Sequence, residues 1–154
     1  MSEKTDTFLV THVDDESAVL EAVSDTQVHT LAHHPDLEEG DVLEATIQPV
    51  PPMEVTWELE TILERRMLPV ERSPERPTKL ARDIAAEQPV GEVTRREREG
   101  EGEIHVMTVP ADRTEEAAED VLRDDATRRQ AARLGVDRVE IRAADGVLSV
   151  RYLP

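Results

Sequence analysis

Between Thr7 and Leu63 short β-prone stretches are punctuated by turn chemistry. Residues 7–13 give way to Asp14-Asp15-Glu16-Ser17, residues 18–23 to Ser24-Asp25, and residues 27–32 to His33-His34-Pro35. A turn at Gly40 then leads into a fourth β-prone run that reaches Ile47, and Pro49, Pro51 and Pro52 close it. Residues 55–63 alternate as Val55, Trp57 and Leu59, then resume at Ile62 after a shift of register, as a fifth strand with one buried face would. Five short antiparallel strands in sequence favour a small β-barrel, OB- or SH3-like, over residues 1–70.

Downstream the pattern changes. Ser73-Pro74 is suited to opening a helix, and Leu80, Ile84 and Ala85 recur at helical spacing, so a short amphipathic helix is expected over 78–87, stopped by Pro89. The stretch GEVTRREREGEG, residues 91–102, is charged and poor in apolar side chains, as a linker or exposed ribbon would be. Residues 71–102 therefore read as a helical and charged connector. Residues 103–109 alternate as a strand, and Thr114-Glu115-Glu116 opens a helix that Leu134-Gly135 ends. Asp124-Asp125 interrupts its apolar stripe, which predicts a bend or two consecutive helices. Strands over 136–142 and 147–153 flank the hairpin signal Asp145-Gly146. Residues 103–154 thus form a β-α-β-β unit, and the fold class is α+β.

Charge narrows the setting. The chain carries 35 acidic against 18 basic side chains, a net of -17, and Lys4 and Lys79 are its only lysines; the other 16 bases are arginine. At molar salt the Debye length is about 3 Å, so repulsion among surface carboxylates is screened. Arginine's fork of donors still holds a carboxylate under such screening, whereas lysine is a strongly hydrated point charge. The balance points to a protein adapted to a salt-saturated cytoplasm. Without cysteine there is no disulfide, thiolate metal site or cysteine nucleophile. The start MSEKTDTFLV is not that of a signal peptide, and no apolar run approaches the roughly 20 residues a spanning helix needs, so no membrane association is expected.

Two resemblances follow. The stretches SAVLE, VHTLA and LEEGDVLEATI resemble a class of small bacterial and archaeal β-barrel domains whose last strands begin with a Gly-Asp-Val turn. The whole chain, with PPMEVTW, PVERSPE and the closing LSVRYLP, is similar to a family of uncharacterised proteins from halophilic archaea. That resemblance implies a lineage and a fold and carries no assigned activity or functional residues.

No catalytic set stands out. His12, His29, His33 and His34 are the candidate metal ligands of the first region, but their spacing matches no metal motif. Pairs such as Asp14-Asp15, Glu38-Glu39 and Asp124-Asp125 read as solvated surface in so acidic a chain. The six glycines are scattered turn residues rather than a phosphate loop. Neither a cofactor nor a metal is expected, and the chain reads as a non-enzyme. The arginines of the middle region, Arg65, Arg66, Arg72, Arg76, Arg82, Arg95, Arg96 and Arg98, form the one stretch that would not repel nucleic acid. Beside a small barrel, Arg65, Arg66, Arg95, Arg96 and Arg98 with Trp57 as a stacking platform would suit a single strand. Pairing of these arginines with acids of the flanking units is the structural alternative. The leading expectation is a non-catalytic adaptor for a protein partner, with a nucleic-acid-binding accessory protein as the rival.

Overall fold

A computed structural model describes residues 3–98 and 102–154. The chain divides into two compact units, Met1–Leu68 and Pro69–Pro154. In the first, β1 (Lys4–Val13), β2 (Ala18–Ala22), β3 (Val28–Leu31), β4 (Asp41–Pro49) and β5 (Trp57–Met67) close into a barrel in the order β1-β2-β3-β5-β4. The turn signals fall where the strands end, and the expected barrel is found. One pairing differs from the antiparallel reading: β3 and β5 meet in parallel at Leu31 and Trp57, and this short contact seals the barrel.

Alternation supplies the core. Phe8 and Val10 of β1, Leu20 of β2, Leu31 of β3, and Leu43 and Ile47 of β4 point inward and are buried. Each such side chain contributes about 1.5–3 kcal/mol on burial, and Phe8 is the chain's single phenylalanine. The shift of register read in the fifth run is a β-bulge. Leu59 pairs with Ile47 and Thr61 with Thr46, so Glu60 is an extra residue that returns Ile62, opposite Ala45, to the face of Leu59.

The second unit is a five-stranded sheet in the order β6-β9-β10-β8-β7, built from β6 (Val70–Arg72), β7 (Val93–Glu97), β8 (Glu103–Thr108), β9 (Arg138–Ala144) and β10 (Val147–Leu153). The expected α+β unit is present, but larger than β-α-β-β, because residues 71–102 are not a connector. They supply the edge strand β7, most of the edge strand β6, and a helix on one face. β6 lies parallel to β9 through Val70 and Val139, and β7 runs antiparallel to β8. Helix α1 (Lys79–Ala86) buries Ala81, Ile84 and Ala85 against Ile104, Val106 and Val147. Its cap is Thr78, whose side chain accepts from the Ala81 N–H at 3.2 Å; Ser73 instead closes a turn on the Glu75 N–H. Over the other face run α2 (Thr114–Arg123) and α3 (Asp125–Leu134). The break between them is the one expected: Asp124 is extended, and its carboxylate accepts from the Ala126 N–H at 2.9 Å. Among the described residues no helix is long and apolar enough to cross a membrane.

The β7–β8 hairpin depends on Gly102. Its φ is +94°, and a Cβ there would stand 2.1 Å from the Tyr152 carbonyl oxygen, a backbone atom that cannot step aside. Gly102→Ala is expected to cost about 2–3 kcal/mol from the backbone strain and the clash together. Urea unfolding in molar KCl measures it; a loss below about 0.5 kcal/mol would show that the hairpin rearranges freely.

Candidate binding site

The arginines singled out in the sequence fall in both units, Arg65 and Arg66 in the first and the other six in the second. Arg65 is a structural residue: its Nε and Nη2 lie 3.1 and 3.0 Å from Oδ2 of Asp41, whose side chain is only 2% exposed. The same guanidinium donates to the backbone carbonyl oxygens of Pro35 and Asp36, pinning the loop between β3 and β4. Arg66 lies beside the carboxylate of Glu44. Trp57 is half-buried, packs against the barrel core and holds the His29 ring edge-on at 4.9 Å, which leaves it a poor stacking platform.

Strand alternation divides the remaining three. Arg95 and Arg96 are neighbours on β7 and face opposite sides of the sheet. Arg96 and Arg98 line a cleft of about 480 Å³ with Arg151 of β10, and Thr78, Leu80, Glu97 and Ile104 complete it. Pairing register explains the convergence: Arg96 is opposite Ile104 on β8, Ile104 is opposite Arg151 on β10, and Arg151 is opposite Glu140 on β9. The two arginines therefore flank Ile104 in one row across the sheet, about 10 Å apart at their Cα atoms, and their long stems span the gap. Thr78 and Leu80 bring the amino end of α1 to the same cleft. Behind it, Glu140 is shared: Arg142 reaches it at 2.6 Å, Arg151 at 3.5 Å and Arg138 at 3.7 Å. Arg142 also meets Glu75 at 2.7 Å. Burial and the nearby Arg142 and Arg98 push the Arg151 pKa down, against the pull of Glu140 and Glu75.

At the barrel, a cavity of about 830 Å³ is lined by Asp14, Asp15, Glu16, Asp36 and Glu38 together with Val13, Ser17, Ala32, His34 and Leu37. Among the described residues its wall is acidic, with no arginine or lysine. In five-stranded Greek-key barrels this β1–β2 turn belongs to the surface that takes oligonucleotides, and here it would repel a phosphate backbone.

The histidines do not assemble. Both His34 ring nitrogens serve the backbone, Nε2 donating to the Asp14 carbonyl oxygen at 2.7 Å and Nδ1 accepting from the Leu37 N–H at 3.0 Å. His29 is buried between Phe8 and Trp57, and desolvation pushes its pKa below the ordinary value, which favours the neutral ring. His12 and His33 are exposed. Among the described residues no group of three or more His, Asp or Glu side chains converges as metal ligands would.

A family model for a family of unknown function, DUF5812, matches residues 4–143. The chain belongs to this family. No curated protein matches the chain, and no solved structure does. DUF5812 membership agrees with the resemblance of the whole chain to an uncharacterised family and assigns no role to any residue. Two features of this family member escaped sequence reasoning. Arg151 sits 53 positions beyond Arg98 in the chain, in the second strand of the closing hairpin, so only the sheet register brings it to Arg96. His105 was the one histidine not singled out; it is buried with Nε2 2.9 Å from the Glu103 carboxylate and its ring 4.8 Å from that of Tyr152, whose pKa burial pushes up to about 12.

Proposed function

We propose that this chain is a non-catalytic binding module, an adaptor that docks a protein partner in the cytoplasm of a salt-adapted archaeal cell. The observation that carries the reading is the outer edge of β5. Beyond Trp57, β5 pairs only with β4, and among the described residues no strand covers its other edge. Leu63 and Met67 on this strand are 65% and 71% exposed. A free edge offers backbone pairing, and exposed apolar side chains add contacts that molar salt does not screen. The acidic wall of the barrel cavity supports a protein partner over nucleic acid. Capture of the tagged chain's partners in molar KCl, with and without nuclease, tests the reading. A partner that survives nuclease and is lost with Leu63→Glu is the expected result; retention that depends wholly on nucleic acid would overturn it.

A second reading, a nucleic-acid-binding accessory protein, is favoured by one observation, the convergence of Arg96 and Arg98 in a single cleft. It predicts that replacing Arg95, Arg96 and Arg98 together abolishes nucleic-acid retention, whereas the adaptor reading predicts little change in partner capture.

A further inference from the structure

We infer that the cleft between the amino end of α1 and the β7–β8–β10 face is a binding site for a phosphate-type oxyanion. In a chain of net charge -17, three arginines from two strands and a hairpin end line one recess, and among the described residues Glu97 is the only carboxylate on its wall. The arginines are not all accounted for by internal pairing. Arg142 is matched by Glu140 and Glu75 at 2.6 and 2.7 Å, whereas among the described residues Arg151 has a more distant share of the same Glu140 at 3.5 Å. Arg96 is exposed at the rim.

The geometry suits a tetrahedral anion. An oxyanion seated over Ile104 would have the Arg96 fork on one side and the Arg151 fork on the other, with Arg98 as a third donor. Guanidinium forks bind phosphate oxygens in pairs, a directional recognition that screening by molar salt weakens less than it weakens a point charge. Thr78 takes the Ala81 N–H, and the α1 end adds the positive pole of the helix dipole. Leu80 marks the site from another direction. It lies on a helix whose Ala81, Ile84 and Ala85 are buried, yet it is 52% exposed at the lip of the cleft. With Ile104 it gives the recess an apolar wall, which suits a phosphate attached to an organic body. Two sources share this chemistry, the terminal phosphate of a small molecule and the phosphodiester of a nucleic acid.

The site is independent of the adaptor reading, and failure of partner capture would leave it standing. Its test is calorimetric titration of the full chain in molar KCl with three probes: inorganic phosphate, a nucleoside monophosphate and an oligonucleotide lacking terminal phosphate. Saturable binding near one equivalent is expected, weakened roughly tenfold by Arg96→Gln through loss of a charge-assisted pair. Leu80→Glu, which sets a carboxylate at the lip without touching the core, is expected to weaken it comparably, and Arg95→Gln, on the opposite face, to leave it unchanged. Preference for the two small probes assigns a small phosphorylated ligand; preference for the oligonucleotide assigns the phosphodiester. Absence of saturable binding by all three probes overturns the site, as does binding indifferent to both Arg96→Gln and Leu80→Glu.

Discussion

Asp41→Ala is expected to remove about 3 kcal/mol of stability and to lower the melting temperature by roughly 5–10 °C in molar KCl. The Asp41 side chain is 2% exposed and gathers three donors on one oxygen: the Glu38 N–H at 3.0 Å and Arg65 through Nε and Nη2 at 3.1 and 3.0 Å. Truncation leaves the Glu38 amide without this acceptor and the Arg65 guanidinium beside an uncharged wall. Breaking a buried pair by removing one partner costs about 3–5 kcal/mol, and the lower end applies because Arg65 is 38% exposed and water reaches it. Asp41→Asn, which keeps an acceptor for the amide, is expected to lose about half as much. Arg65→Ala should release the loop that Pro35 and Asp36 anchor, detectable as faster amide exchange over residues 33–40. A loss below about 1 kcal/mol for Asp41→Ala would mean that the pair is not a keystone of the barrel.

The same pair shows what was legible in the sequence and what was not. The Gly40-Asp41-Val42 turn was read as the entry to β4, since turn chemistry is local. That Arg65 would close back onto Asp41 depends on the hairpin register of β4 against β5, which two bulges displace from simple counting. Barrel strands and the α2–α3 break were legible because alternation and capping leave marks within a few residues. β6 was missed because three residues carry no period, and its pairing partner β9 lies about 70 residues on. β7 was taken for a ribbon because VTRRE is more charged than a central strand allows; as an edge strand it needs one apolar contact, and its arginines keep the edge from pairing indiscriminately. The cleft was half legible: Arg96 and Arg98 were named, but Arg95 was grouped with them and Arg151 was not, since strand parity and cross-strand register are properties of the folded sheet.

Transfer from molar to tens-of-millimolar KCl is expected to lower the melting temperature by about 10 °C or more, because the Debye length grows from about 3 Å to roughly 15–20 Å and repulsion is far less screened. The barrel unit carries the greater part of the strain: residues 1–68 hold 16 acidic side chains against Lys4, Arg65 and Arg66, a net of -13. Repulsion is already visible in specific contacts. Glu44 and Glu64 are register partners across β4 and β5, and the shared hydrogen bond and like charge raise the Glu44 pKa above its usual 4.5. Glu3 acts on Glu60 in the same way. A carboxyl whose pKa is raised on folding stabilises the folded chain in its protonated form; that gain is complete below the ordinary value and is lost as pH rises through the raised one. Asp25, held down by Lys4, and Glu115, held down by Arg72, act in the opposite sense and lose their contribution only as pH falls through their lowered values. As pH falls from neutral toward the ordinary carboxylate range, Glu44 and Glu60 take up protons ahead of the other acids, while Asp25 and Glu115 stay ionised longest. In low salt the melting temperature should therefore rise as pH is brought from 7 toward about 5, and Glu44→Gln should flatten part of that rise. Thermal melts across a grid of KCl and pH measure both effects. A melting temperature insensitive to KCl would mean that the carboxylates lie too far apart to strain the barrel, and a fall in stability between pH 7 and 5 would mean that the paired acids outweigh the crowded ones.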